Sequence, residues 1–243
     1  MRPAVPPANL PARTLREEVL VVLSLTFLES AVFALIDLLS APLKGVYVAA
    51  VPQYQFAKQI AGFVFGLAPV WLVIYLIRRS GEGVEDIGVA ADDVRGDASR
   101  GLALFVVVGV AGLGVYLGAV AVGVNRFVVP VALGHWWTVP VLFLTSTQAA
   151  LVEEVIMVGY LVTRLQQTGW SPSAAVAGSA ALRGSYHLYQ GYGGFFGNLA
   201  MGLLFGTLFI RNRRTWPLVV AHFFLDVGAG VGFLVFRHRL PGF

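Results

Sequence analysis

Seven runs of apolar residues, at roughly 18–40, 57–78, 100–123, 137–165, 172–189, 194–210 and 216–236, divide this chain of 243 residues. A helix needs about 20 such residues to cross the hydrocarbon core of a bilayer. In lipid the backbone has to satisfy its own hydrogen bonds, which leaves helices as the natural solution for runs of this length. Apolar residues make up 57% of the chain and charged residues only 12%, against about 25% charged in a soluble domain. The predicted fold class is therefore all-α, a polytopic transmembrane helical bundle of about seven spanning helices, or eight if the stretch near 41–55 forms another. The fifth and sixth runs are short and interrupted by glycine, and they define the least regular part of this reading.

The remaining sequence sets boundaries and orientation. Residues 1–14, with four prolines and no apolar core, read as a disordered tail, which leaves 15–243 as one transmembrane domain. There is no cysteine, so disulfides, thiolate nucleophiles and cysteine-ligated metals are excluded. With the N-terminus inside, the inner side holds eleven basic residues and the outer side five, with Arg183 left within a helix. That bias predicts a cytoplasmic N-terminus, and it accounts for the net charge of +4 without nucleic-acid binding. The Arg-, Ala-, Gly- and Val-rich usage suits a GC-rich genome and a bacterial cell membrane. The loop Arg78–Arg100 mixes both signs and reads as solvated. Trp136, Trp137, Trp170 and Trp216 fall at predicted helix ends, as interfacial tryptophans do. Gly193-x-x-x-Gly197 and Gly202-x-x-x-Gly206 give the sixth run a small-residue face for close packing. Gly228, Gly230 and Gly232 read as packing positions too.

Ionisable residues inside these runs point to a function, because each costs several kcal/mol unless it is paired or lines a wet cavity. Glu153 and Glu154 lie in the fourth run, Arg183 and His187 in the fifth, and His222 and Asp226 in the seventh. Adjacent helical residues point about 100° apart. One glutamate is then expected to face a cavity while the other takes a structural partner. His222 and Asp226, four apart, share a helix face and suit joint binding of a metal, a water or a substrate oxygen. Ser179 and Ser185 lie near His187, but nothing in the spacing gives either a base. Water activated by a glutamate, with or without a bound metal, is the chemistry these residue types allow. Glu29, near the centre of the first run with Asp37 two turns on, reads as one member of a buried structural pair, with pairing to Arg183 or a place lining the cavity as alternatives.

The order Glu153-Glu154-x-x-x-x-Gly159-Tyr160, then His187, then His222-x-x-x-Asp226 resembles the CAAX prenyl protease and bacteriocin-processing family, also called Abi. The resemblance covers roughly Trp137–Val231. It implies an intramembrane endopeptidase whose catalytic residues are Glu153, His187, His222 and Asp226. Glu153 would activate water with His187 assisting, and His222 and Asp226 would hold the oxyanion or help bind a metal. Glu154 and Arg183 would support them. A divalent metal such as zinc, held by Glu153, His187, His222 and Asp226, is compatible in ligand type. The implied partners are membrane lipid and a membrane-associated peptide or protein substrate, whether a prenylated tail, a leader peptide or another membrane peptide.

Two positions depart from the family pattern. Val158 stands where the first motif usually carries Arg, and Arg183 stands where the second usually carries Phe. The two are expected to be linked, with Arg183 reaching across to Glu154 in place of the missing guanidinium. The third motif commonly ends in Asn, and Asp226, as a carboxylate, can donate to an oxyanion only when protonated. Depth sets a further constraint. At 1.5 Å per residue, Glu153 and Asp226 lie roughly 16–18 Å from the inner helix ends, His222 about 10 Å and His187 about 22 Å. Straight, upright helices would not bring them together. The alternative reading is a non-catalytic membrane scaffold or a proton or solute transporter using the same polar cluster. An enzyme predicts convergence of Glu153, His187 and His222 within a few Å, whereas a transporter predicts a path reaching both faces.

Overall fold

A computed structural model describes residues 10–27, 31, 46–48, 60, 63–64, 66–129 and 136–236. Its helices are α1 (Ala12–Ser24), α2 (Ala68–Arg79), α3 (Val94–Ala121), α4 (Thr138–Gln167), α5 (Pro172–Tyr186), α6 (Tyr192–Asn212) and α7 (Trp216–Phe236). Two three-residue strands, β1 (Val46–Val48) and β2 (Phe127–Val129), pair in parallel. They add a short ladder to a helical molecule without changing its class. Helix α1 begins three residues inside the segment read as a disordered tail. Glu29, Asp37, Lys44, Lys58 and the stretch proposed as an eighth helix lie outside the described residues.

Among the described residues, four helices are long and apolar enough to cross a membrane: α3, α4, α6 and α7. The protein is therefore a helical membrane protein. The first two apolar runs extend into residues that are not described. The fifth run forms a 15-residue helix, shorter than the span of about 20 residues expected. The sixth run, expected to be short and broken, is an uninterrupted helix of 21 residues. Its glycines do not break it because two of them face a neighbour: a Cβ on Gly202 would sit 2.9 Å from Ala180 Cα, and one on Gly206 would sit 2.8 Å from Val176 Cγ1. Both contacts are to α5, so this small-residue face brings α5 and α6 together. Gly230 likewise admits Leu142 of α4, whereas Gly197 and Gly232 meet nothing within 4 Å.

Helix starts follow local chemistry. The Asp93 side chain accepts from Gly96 N at 3.1 Å to cap α3, and Ser171, followed by Pro172, caps α5 through Ala174 N. Helix α6 ends at Arg213, which adopts a left-handed φ of 52°. Its guanidinium stacks over Phe209 and donates to Asp86 O at 2.7 Å, which holds this unfavourable conformation in place.

The loop between α2 and α3 is anchored, in contrast to the solvated loop expected. Its charges find partners on helix ends: Glu82 with fully buried Arg164 and with Gln167, and Asp97 with Arg214. Paired in this way, Arg164 is buried without leaving a lone charge. Arg214, hydrogen-bonded to Asp97 and Asp92, is held above its ordinary arginine pKa. The loop backbone also packs directly on α4. Thr215 Oγ1 donates to Ile87 O at 2.7 Å and Thr215 N to Gly88 O at 2.8 Å, which brings Ile87 O against Gly159.

The interior divides into two apolar clusters that meet along α4. One contains Ile156, Met157 and Tyr160 with residues of α1 and α2. The other contains Val158 and Val162 with Val176, Phe205 and Phe209. A Cβ on Gly159 would lie 2.7 Å from Ile87 O and 3.2 Å from Thr215 Oγ1. Because the first obstacle is backbone, a rotamer change cannot relieve it. Gly159→Ala is expected to destabilise the fold by about 1–3 kcal/mol, read as a lowered melting temperature of the detergent-solubilised protein.

Candidate active site

The middle of α4 is not an α-helix. Residues Glu153–Tyr160 form a π-helical stretch, in which Leu161 N donates to Ile156 O, five residues back. Such stretches are uncommon and are often found at functional sites. A wider turn rotates neighbouring side chains by less than the 100° of an α-helix. It also leaves carbonyls to be satisfied from outside, and Met157 O accepts from the Ser179 hydroxyl of α5 at 2.6 Å. One turn further along α5, Arg183 reaches the side chains of the same stretch.

Arg183 is 1% exposed and organises the site. Its Nη1 donates to Glu154 Oε1 at 2.7 Å, and its Nη2 lies 3.3 Å from Glu153 Oε2 and 3.3 Å from His222 Nδ1. The predicted pairing with Glu154 is present. Both glutamates lie against the one guanidinium, although adjacent helical residues are expected to point too far apart to share a partner. The physical reason is the wide π turn together with the planar fork of arginine, which presents several donors at once. Val158, where the family pattern has Arg, is instead buried among apolar neighbours.

The two glutamates are nonetheless unequal. Glu154 is completely buried, and its Oε1 also takes His222 Nδ1 at 2.7 Å. A carboxylate accepts, so the proton of that bond sits on Nδ1. On the other side of the ring, His222 Nε2 lies 3.6 Å from Asp226 Oδ2, and the Asp226 side chain is 39% exposed. The Glu153 side chain keeps 13% of its surface open and His187 keeps 15%. The Tyr186 hydroxyl donates to Glu153 Oε2 at 2.9 Å, and His187 Nε2 lies 3.8 Å from the same oxygen, with no hydrogen-bond partner among the described residues. Glu153, His187 and Asp226 are thus the members of the cluster with open surface for a further molecule.

The structure therefore brings Glu153, Glu154, Arg183, His187, His222 and Asp226 into one connected cluster, despite the differing depths read from the sequence. The rule of straight, upright helices is what fails. Glu153, His187 and His222 thus stand in the same cluster, linked through Arg183 and Glu154. Ser179 and Ser185 donate to the carbonyls of Met157 and Leu182, and neither hydroxyl is directed at a base. Tyr186 and Gln190 were not singled out in the sequence. The available signal was their position, immediately before His187 and three residues after it.

The residues considered as metal ligands do not form a ligand group. Among the described residues, no three His, Asp or Glu side chains are placed to hold one ion. The Arg183 guanidinium already fills the space between both glutamates and His222. A divalent cation does not fit this donor set as it stands, and no step is routed through one.

Replacing Arg183 with Leu would leave Glu153 and Glu154 facing each other in an apolar interior. A loss of about 3–5 kcal/mol is expected, seen as a large drop in thermal stability. Arg183→Lys should recover only part of it, because a single ammonium cannot reproduce the fork.

Residues 135–228 match the family model described as Rce1-like, type II CAAX prenyl endopeptidase. No curated protein and no solved structure matches the chain significantly. The matched segment contains every residue of the cluster and overlaps the stretch in which the resemblance was read. Over that segment, the chain is similar to the type II CAAX prenyl endopeptidases.

Proposed function

We propose that this protein is an intramembrane endopeptidase that hydrolyses a peptide bond of a membrane-associated peptide or protein through water activated by Glu153. The observation that carries this reading is the Glu153–His187 pair: Oε2 and Nε2 lie 3.8 Å apart, both side chains keep part of their surface open, and Nε2 has no hydrogen-bond partner among the described residues. One water can touch both atoms across such a gap.

In this mechanism Glu153 takes a proton from the water while His187 orients it, and the hydroxide adds to the scissile carbonyl carbon. The tetrahedral intermediate then collapses as Glu153 returns the proton to the leaving nitrogen and the C–N bond breaks. The products are a carboxylate and an amine. His222 donates its Nδ1–H to Glu154 as a hydrogen bond and, when also protonated on Nε2, donates that N–H to the oxyanion. Asp226, 3.6 Å from Nε2, orients the ring and does not itself donate. Glu154 and Arg183 hold the assembly, and Tyr186 steadies the base.

The substrate is a prenylated tail, a leader peptide or another membrane peptide, and the choice is left to experiment. We place the α2–α3 loop and the Arg79, Arg164, Arg213 and Arg214 cluster on the cytoplasmic side of a bacterial membrane, with the N-terminus on the same side. That is where an arginine-rich end is expected.

The test is cleavage of a library of membrane-anchored peptides by the purified protein in detergent. Glu153→Gln should lower the rate by about 10²–10⁴-fold without lowering the melting temperature. Unchanged cleavage would remove Glu153 from the role of base. Tyr186→Phe removes one hydrogen bond to the carboxylate and should cost roughly fivefold to tenfold in kcat, the equivalent of about 1 kcal/mol. A chelator should leave the rate within about twofold of the control if the donor set acts without an ion, and strong inhibition would revive the metal reading.

A further inference from the structure

His187 can present either a proton or a lone pair to Glu153, and the difference decides what it can do to a water between them. Its Nδ1 lies 3.3 Å from Gln190 Nε2. That amide nitrogen also donates to the Tyr189 hydroxyl at 3.0 Å. With the NH2 on that side, the amide donates and Nδ1 accepts; the flipped amide would present its oxygen to Nδ1 instead, so the other face of the ring has to choose between the two. The opposite side of the ring favours the arrangement with Nε2 protonated. Nε2 faces a carboxylate oxygen at 3.8 Å, and a lone pair there would oppose another lone pair, whereas an N–H is attracted to it.

Gln190 is itself held from outside the family-matched segment. It ends the 3₁₀ turn Leu188–Gln190 that follows α5, and its backbone N donates to His187 O at 3.0 Å. Arg126, in the connection between α3 and β2, clamps this turn. Arg126 N donates to Gln190 O at 2.7 Å, and Arg126 Nη1 donates to Tyr189 O at 2.9 Å. Asn125 completes the clamp by accepting from Gly194 N at 2.7 Å. The turn also needs its closing glycine. Gly191 has φ +105°, and a Cβ there would lie 2.6 Å from Val124 O.

We propose that Gln190 is a positioning residue that fixes His187 as the Nε2–H tautomer, so that the ring donates to the attacking water on the Glu153 side instead of competing for its proton. This rests on the endopeptidase reading for its use, but not for its existence. The tautomer is a property of the resting protein. With Nε2–H set, Glu153 is the sole base at the gap and His187 is the donor that aligns the water's lone pair with the carbonyl. Gln190 never touches substrate. The connection after α3, through Arg126, sets where that donor stands.

The experiment is ¹⁵N NMR of the full-length, histidine-labelled protein in detergent, at a pH where the His187 ring is neutral, with the His187 signals assigned by their loss in His187→Gln. Wild type is expected to show a protonated Nε2 and an unprotonated Nδ1. In Gln190→Glu, a carboxylate that only accepts stands beside Nδ1, and the proton is expected to move there. Cleavage by that variant should fall by about 10²-fold in kcat with KM changed by less than about twofold, because the ring would present a lone pair to the water. Gln190→Leu should weaken the tautomer preference without reversing it, because the Glu153 carboxylate still faces Nε2. An Nδ1–H signal in wild type, or an unchanged tautomer in Gln190→Glu, would overturn the proposal. If the tautomers behave as expected but wild type cleaves no peptide, the assignment of Gln190 stands and the endopeptidase reading fails. Equal losses in kcat and melting temperature, with the tautomer unmoved, would reduce Gln190 to a structural residue.

Discussion

Two carboxylates one residue apart in an apolar interior repel each other and lose their hydration, and in this protein Arg183 compensates both costs. Its guanidinium donates to Glu154 and approaches Glu153 and His222 at 3.3 Å. With that cation in place, a carboxylate pair becomes tolerable deep in the molecule. The rest of the site is arranged around it. Gly202 lets α6 lie against the Arg183 stem, with a built Cβ only 3.3 Å from Arg183 Cδ. The Phe205 ring sits 5.7 Å from the guanidinium carbon. Ser179, one turn earlier, bonds the π-helical backbone that carries the glutamates.

The π-helical stretch is the local counterpart of that cation. It carries both glutamates that the one fork serves, and its Met157 carbonyl accepts from Ser179 of α5. Gly159, inside the same stretch, admits the backbone of the α2–α3 loop. One irregular segment therefore links the site to the arginine-rich end of the molecule. It also separates the glutamates by role. Glu154 is sealed between Arg183 and His222, and Glu153 keeps an open edge toward His187.

Much of this was legible in the residues. Long apolar runs announced helices in lipid, and the few ionisable residues within them marked the site. The Arg183–Glu154 pair could be anticipated because a guanidinium was missing at Val158 and surplus at 183. Tyr186 and Gln190 were not legible, since a tyrosine or glutamine beside a histidine carries no pattern until the backbone turns its side chain inward. The anchored α2–α3 loop was misread for a similar reason: mixed charges describe a solvated loop equally well until their partners, Arg164 and Arg214, are seen to stand opposite.

The sequence by itself determined the solvent, the helical class and the candidate chemistry, because hydropathy over about 20 residues and the cost of burying charge are local properties of the chain. Only the tertiary structure decided that residues at differing nominal depths meet, that one arginine serves two glutamates, and which glutamate stays open. Those outcomes depend on the pitch of a π-helical turn, on the contact between α5 and α6 at Gly202, and on a clamp from Arg126 that lies far away in the chain. Such relations exist between elements and leave no periodic trace within any one of them.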